Sequence, residues 1–122
     1  MRLQGEGKLL RVFIGETDKV NHHALYTVIV KTAKERGLAG ATVLRGMEGF
    51  GANSRTIHTA RILRLSEDLP MVVEIVDTEE KIQDFLPIVD ELLERSKCGA
   101  MVTLEKVHVL HYGVAGNPLP KH

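Results

Sequence analysis

A chain of 122 residues, 43% hydrophobic and 26% charged, has the size of one domain and enough apolar content to bury a core without a metal or disulfide. Its 16 Lys and Arg balance 16 Asp and Glu, which removes the simplest electrostatic case for coating nucleic acid, and three Phe, two Tyr and no Trp leave few platforms for stacking bases. The single cysteine, Cys98, excludes an internal disulfide, and no apolar run reaches the roughly 18 residues of a membrane span. Residues 1–8 lack the apolar stretch of a signal peptide, so one cytoplasmic domain over residues 1–122 is expected.

In chain order, residues 9–14 (Leu-Leu-Arg-Val-Phe-Ile) are a short β-branched and aromatic run of the kind a buried strand carries. Asp18 offers a helix N-cap, and Ala24, Leu25, Val28, Ile29, Thr32 and Ala33 follow at helical spacing. Gly37 and Gly40 stop that helix, and residues 41–47 read as a second strand. After a long insertion, residues 71–76 make a third strand ending at Asp77, which with Glu80 forms a capping box. Ile82, Phe85, Leu86, Val89, Leu92 and Leu93 then recur at spacings of three and four. Pro87 inside this helix predicts a kink or a break. Gly99 closes the helix, and residues 100–110 form the last strand.

The halves echo each other. Glu35, Arg36, Gly40, Ala41 and Val43 recur as Glu94, Arg95, Gly99, Ala100 and Val102, each 59 positions on, and the same offset relates Asp18 to Asp77, Tyr26 to Phe85 and Val30 to Val89. Two βαβ units in tandem with right-handed crossovers give an α+β ferredoxin-like sandwich, a four-stranded antiparallel sheet with two helices on one face. Val12, Val43, Val73, Ile75 and Val102 alternate with residues that are not consistently polar. The face without helices is therefore half apolar, which predicts a homo-oligomer.

Between the halves lies an insertion, residues 46–69, far longer than a hairpin needs. Its first piece holds Gly46, Gly49 and Gly51 with Asn53 and Ser54; its second, residues 58–65, reads as a strand pairing back, giving an extended β-arm. Arg45, Arg55, Arg61 and Arg64 flank His58, and cations beside glycines point to an anion, phosphate above all. A solvated strand face would produce the same alternation of Arg, and Glu48, Glu67 and Asp68 sit nearby. Gly46-x-x-Gly49-x-Gly51 follows a strand but opens no helix, so it is not a dinucleotide fingerprint, and no Gly-Lys-Ser or Gly-Lys-Thr of a P-loop occurs. Cys98 at a helix C-terminal end has no source of thiol activation. His22 and His23 diverge, and His108 and His111 are three apart on a strand, so neither pair makes a metal site within one chain. Ser54, Ser66 and Ser96 lack a base. No enzyme is indicated.

The runs Leu44-Arg45-Gly46-Met47-Glu48-Gly49-Phe50-Gly51, His58-Thr59-Ala60-Arg61 and Leu69-Pro70-Met71-Val72-Val73-Glu74-Ile75-Val76-Asp77 resemble the PII superfamily of signalling proteins, and most of all its uncharacterised PII-like branch. The resemblance spans residues 8–112. It implies a homotrimer whose long loop between the second and third strands of the sheet projects towards a partner, an unidentified membrane transporter or enzyme. It also implies an adenine nucleotide in the clefts between subunits, held at the loop base by Arg45, Gly46, Gly49, Phe50 and Gly51, along a strand edge by Glu74 and Val76, and at the second helix-to-strand turn by Lys97 and Gly99. Ala52, Asn53, Ser54, Arg55 and His58 would form the partner loop. The chain departs from PII in three places. The turn at Lys97 lacks a repeated Gly-x-Gly-Lys, the tail 113–122, expected to be flexible, lacks a basic Arg-x-Arg, and residues 51–57 hold no tyrosine. Fewer cations favour AMP or ADP over a triphosphate. The alternatives are a CutA-like metal-binding trimer and a non-catalytic trimeric scaffold. No covalent cofactor, resident metal or nucleic-acid partner is expected.

Overall fold

Strand β1 (Gly5–Gly15) runs through the centre of a four-stranded sheet and sorts its side chains by parity. Leu10, Val12 and Ile14 point into the core, while Leu9, Arg11 and Phe13 point to the opposite face. The computed structural model describes residues 3–52 and 68–114, together with 116, 118 and 119. β1 pairs antiparallel with β5 (Pro70–Asp77) on one side and with β6 (Met101–Val109) on the other, and β4 (Thr42–Arg45) adds to β5, so the order is β4-β5-β1-β6. Helices α1 (Leu25–Glu35) and α2 (Glu79–Ser96) cover one face. Leu25, Ile29 and Ala33 of α1 and Ile82, Phe85, Val89 and Leu92 of α2 close over Leu10, Val12, Val73 and Ile75. This is the α+β ferredoxin-like sandwich expected from the tandem halves. The repeat is visible in the fold too: β4 begins at Thr42 and β6 at Met101, again 59 residues apart.

Both helix starts differ from the expectation. Asp18 does not cap α1. Its carboxylate accepts from Gly15 N–H at 2.7 Å, closing a turn, and a small hairpin, β2 (Lys19–Val20) with β3 (His23–Ala24), separates it from Leu25. Asn21 and His22 form the hairpin tip with φ of 50° and 70°, the conformation Asn and His tolerate better than most residues. Asp77 with Glu80 is not the capping box of α2: Thr78 is the N-cap, accepting from Lys81 N–H, and Asp77 turns inward instead. Lys97, not Gly99, takes the left-handed position that ends α2. Pro87 does not divide the helix. It lies on the exposed side, where water can serve the carbonyl that loses its partner, and α2 runs unbroken from Glu79 to Ser96.

The uncovered face carries three rows across the sheet. Met101, Phe13, Val72 and Leu44 form an apolar row, with Leu44 49% and Met101 55% exposed. Beside it run Thr103, Arg11, Glu74 and Thr42, and beyond them Glu105, Leu9 and Val76. Arg11 donates to Glu74 at 2.9 Å and to Glu105 at 2.7 Å. Glu74 first, and Glu105 with it, hold the guanidinium in its charged form more firmly than usual, against a smaller opposing effect of desolvation.

Candidate functional site

The sheet has two ends, and the candidate residues gather mainly at one. There β1 finishes, β4 finishes at Arg45, β5 begins at Pro70, and α2 passes through Lys97 into β6. The two feet of the long loop are tied together by Gly46, whose N–H donates to Pro70 O at 2.7 Å. A Cβ on Gly46 would sit 2.7 Å from Pro70 Cγ, so the close approach of the feet requires glycine. Gly46→Ala is expected to cost about 1–3 kcal/mol and to loosen the loop base; equal urea midpoints for the two proteins would contradict this.

The turn after β1 clamps both feet. Glu16 Oε2 lies 2.9 Å from Arg45 Nη2, Glu16 N–H donates to Leu69 O at 2.8 Å, and Thr17 N–H donates to Asp68 Oδ1 at 2.9 Å. The Asp68 carboxylate lies against Gly15, where a Cβ would meet Oδ1 at 2.5 Å. Burial raises the Asp18 carboxyl pKa; the Gly15 hydrogen bond opposes this, and the Asp68 charge adds to the rise. A carboxyl with a raised folded-state pKa stabilises the fold below its unfolded pKa, and that stability is lost as pH rises through the folded value. Asp18→Asn keeps an acceptor for Gly15 and removes the charge. It should therefore unfold at equal or higher urea than the parent at neutral pH, with no such advantage in acid; a markedly weaker variant at neutral pH would refute the argument.

Arg45, Gly46, Gly49, Phe50 and Gly51 thus share the loop base, with Phe50 76% exposed and Gly51 in open space. Lys97 and Gly99 lie at the same end but precede β6, on the opposite edge of the sheet. With strands about 4.8 Å apart, three spacings put them roughly 14 Å from the loop base across the sheet. Glu74 lies mid-strand on the open face, engaged by Arg11, and Val76 lies beyond the stretch that β4 pairs. One chain does not bring all nine candidates together. Ala52 is exposed beside the loop base, whereas Asn53, Ser54, Arg55 and His58, with the expected strand over 58–65, fall outside the described residues. Cys98 is half-buried, and burial pushes its thiol pKa up, against a smaller lowering from Ser96. Among the described residues no three His, Cys, Asp or Glu side chains gather as metal ligands, and no helix is long and apolar enough to cross a membrane. Glu16, Asp68 and Arg11 were not among the sequence candidates. The only local hint was a charge, Arg11, inside an apolar strand.

Residues 7–109 match the DUF190 family, described as "Uncharacterized ACR". The chain belongs to the DUF190 family. A UPF0166 protein of Aquifex aeolicus is 40% identical over 104 residues, 85% of this chain and 93% of that protein. Among solved structures, CPII, a nitrogen regulatory PII-like protein from Thiomonas intermedia K12 bound to ADP, AMP and bicarbonate, shares the fold at a TM-score of 0.62 with 14% identity, over 85% of this chain and 88% of CPII. A putative PII-like signalling protein from Thermus thermophilus aligns at 0.61 with 17% identity, over 88% and 93%. A phage SAM lyase in complex with S-methyl-5′-thioadenosine aligns at 0.51 with 18% identity, over 89% and 88%. The chain thus has the ferredoxin-like fold that these PII-like proteins share.

Proposed function

We propose that this DUF190 chain is a cytoplasmic, non-catalytic PII-like regulator. In this reading it forms a homotrimer, binds AMP or ADP in clefts between subunits, and presents its long loop in a nucleotide-dependent arrangement to a membrane transporter or enzyme. The observation that carries the reading is the division of the candidate binding groups. Arg45 and Gly46 leave one edge of the sheet and Lys97 and Gly99 enter the other, at the same end. One nucleotide would meet both sets where the edges of two subunits adjoin. The apolar open face supplies a reason for subunits to associate. The fold's likeness to CPII, whose structure holds ADP and AMP, favours an adenine nucleotide. Regulation would then be a population shift, the nucleotide binding one loop arrangement better than others.

Titration calorimetry with AMP, ADP, ATP and cyclic AMP, after light scattering for mass, tests this. The expected result is a trimer with one nucleotide site per subunit. Arg45→Ala should weaken binding about tenfold or more, the usual loss of a charge-assisted contact. A trimer silent to all four nucleotides would overturn the ligand, and unchanged affinity in Arg45→Ala would overturn the assignment of the loop base.

A further inference from the structure

The loop base is less cationic than its arginine suggests. Arg45 is paired with Glu16 at 2.9 Å, with the Glu16 side chain only 26% exposed and the Arg45 side chain 55%. The turn carrying Glu16 follows β1, which lies between β5 and β6 in the sheet. It therefore stands between the two sets of candidate binding groups, Arg45 on one side and Lys97 on the other. The same turn brings Asp18, and its backbone holds Asp68. Among the described residues of this turn and the loop base, four carboxylates (Glu16, Asp18, Glu48 and Asp68) accompany one arginine.

The backbone of Glu16 is also held in place without Arg45. Its own N–H is fixed to Leu69 O at 2.8 Å, Thr17 N–H to Asp68, and Asp18 O accepts from Leu25 N–H at 2.8 Å. The carboxylate is thus carried on a turn anchored to the loop's second foot and to the start of α1. An anion approaching Arg45 meets a competitor that does not swing away for free. We propose that Glu16 is a built-in counter-charge to Arg45, which a ligand phosphate must displace, and that it sets the charge class the site accepts, favouring nucleotides of low phosphate charge. The inference rests on the proposal that Arg45 contacts a nucleotide phosphate. Its physical content is a graded repulsion: a carboxylate tethered beside Arg45 by its anchored backbone stays close even when displaced and penalises each added phosphate charge, so the penalty grows from AMP to ADP to ATP. Displacing Glu16 also releases one of the ties between the turn and the loop base, which gives the ligand a direct route to the loop's arrangement.

The test is calorimetry of AMP, ADP and ATP with Glu16→Gln, Arg45→Gln and the double variant, each checked by circular dichroism. Glu16→Gln is isosteric and keeps its backbone bonds. It should tighten AMP only slightly and ATP by roughly five- to tenfold, the scale of one partly screened charge, with the gain reduced at high salt. The double variant should lose that gain, because Arg45 is the group being freed. A uniform change for all three nucleotides, or no change, overturns the role of Glu16 and leaves the nucleotide reading standing. Silence of the parent and of Glu16→Gln towards all three overturns both. Binding that appears only in Glu16→Gln supports the counter-charge directly.

Discussion

Asp77→Ala is expected to lower the unfolding free energy by about 2–4 kcal/mol, among the largest effects of any polar substitution in this chain. Asp77 is the one fully buried charged residue among those described, with no measurable exposure. Its two oxygens are used separately: Oδ2 accepts from Ala39 N–H at 2.9 Å and Oδ1 from Thr78 N–H at 2.7 Å. Alanine would leave two part-buried donors without their carboxylate, at up to about 1–3 kcal/mol each, partly recovered by water. A negative charge beside the first turn of α2 also meets the favourable end of the helix dipole. Asp77→Asn retains one good acceptor and should lose less. The position matters beyond stability, because Ala39 lies in the turn that leads into β4, and β4 ends at Arg45. Ala39 is held from both sides, its carbonyl accepting from Tyr112 Oη at 2.7 Å. Urea unfolding decides the matter; a loss of under about 1 kcal/mol in Asp77→Ala would show that water replaces the carboxylate cheaply.

Asp77 also marks the boundary of what was legible in the sequence. Asp followed three residues later by Glu before an apolar stripe is a sound local signal for a helix start, and a helix does start there. The cap is nonetheless Thr78, because the Asp77 side chain is claimed by Ala39, 38 residues away, and no local pattern records that claim. Asp18 fails as a cap for a related reason: it closes a turn and a hairpin intervenes, with Asn21 and His22 in a conformation that local propensity only weakly forecasts. By contrast, Ile82, Phe85, Val89 and Leu92 were readable at once, since one face of a helix must meet the sheet whatever the sheet's details. The four-stranded antiparallel sheet under two helices followed from the repeat plus the handedness of crossovers. The site was legible by residue type and not by pairing. Arg45 could be named from its setting among glycines, yet Glu16 lies 29 positions earlier and reaches it only because β1 and β4 finish at the same end. Arg11 was hidden inside a strand, and its partners come from the strands on either side.

Phe13→Asp is expected to break the assembly proposed above into monomers while leaving each subunit folded. Phe13 lies on a central strand, on the face without helices, between Val72 of β5 and Met101 of β6. It faces away from the core formed by Leu10, Val12 and Ile14, so the substitution does not touch the packing under the helices. If subunits associate through this face, the variant must bury an unpaired carboxylate, at several kcal/mol for each subunit. Arg11 cannot neutralise it without giving up Glu74 or Glu105, which already occupy its guanidinium. Light scattering should show a roughly threefold fall in mass with an unchanged far-ultraviolet circular dichroism spectrum. Nucleotide binding should disappear with the trimer, because Arg45 and Lys97 of one chain stand on opposite edges of the sheet. The two readouts separate the parts of the argument. A variant that stays trimeric places the contact surface elsewhere. A monomer that still binds AMP or ADP keeps the ligand but moves the site inside a single chain, and the edge-to-edge cleft falls.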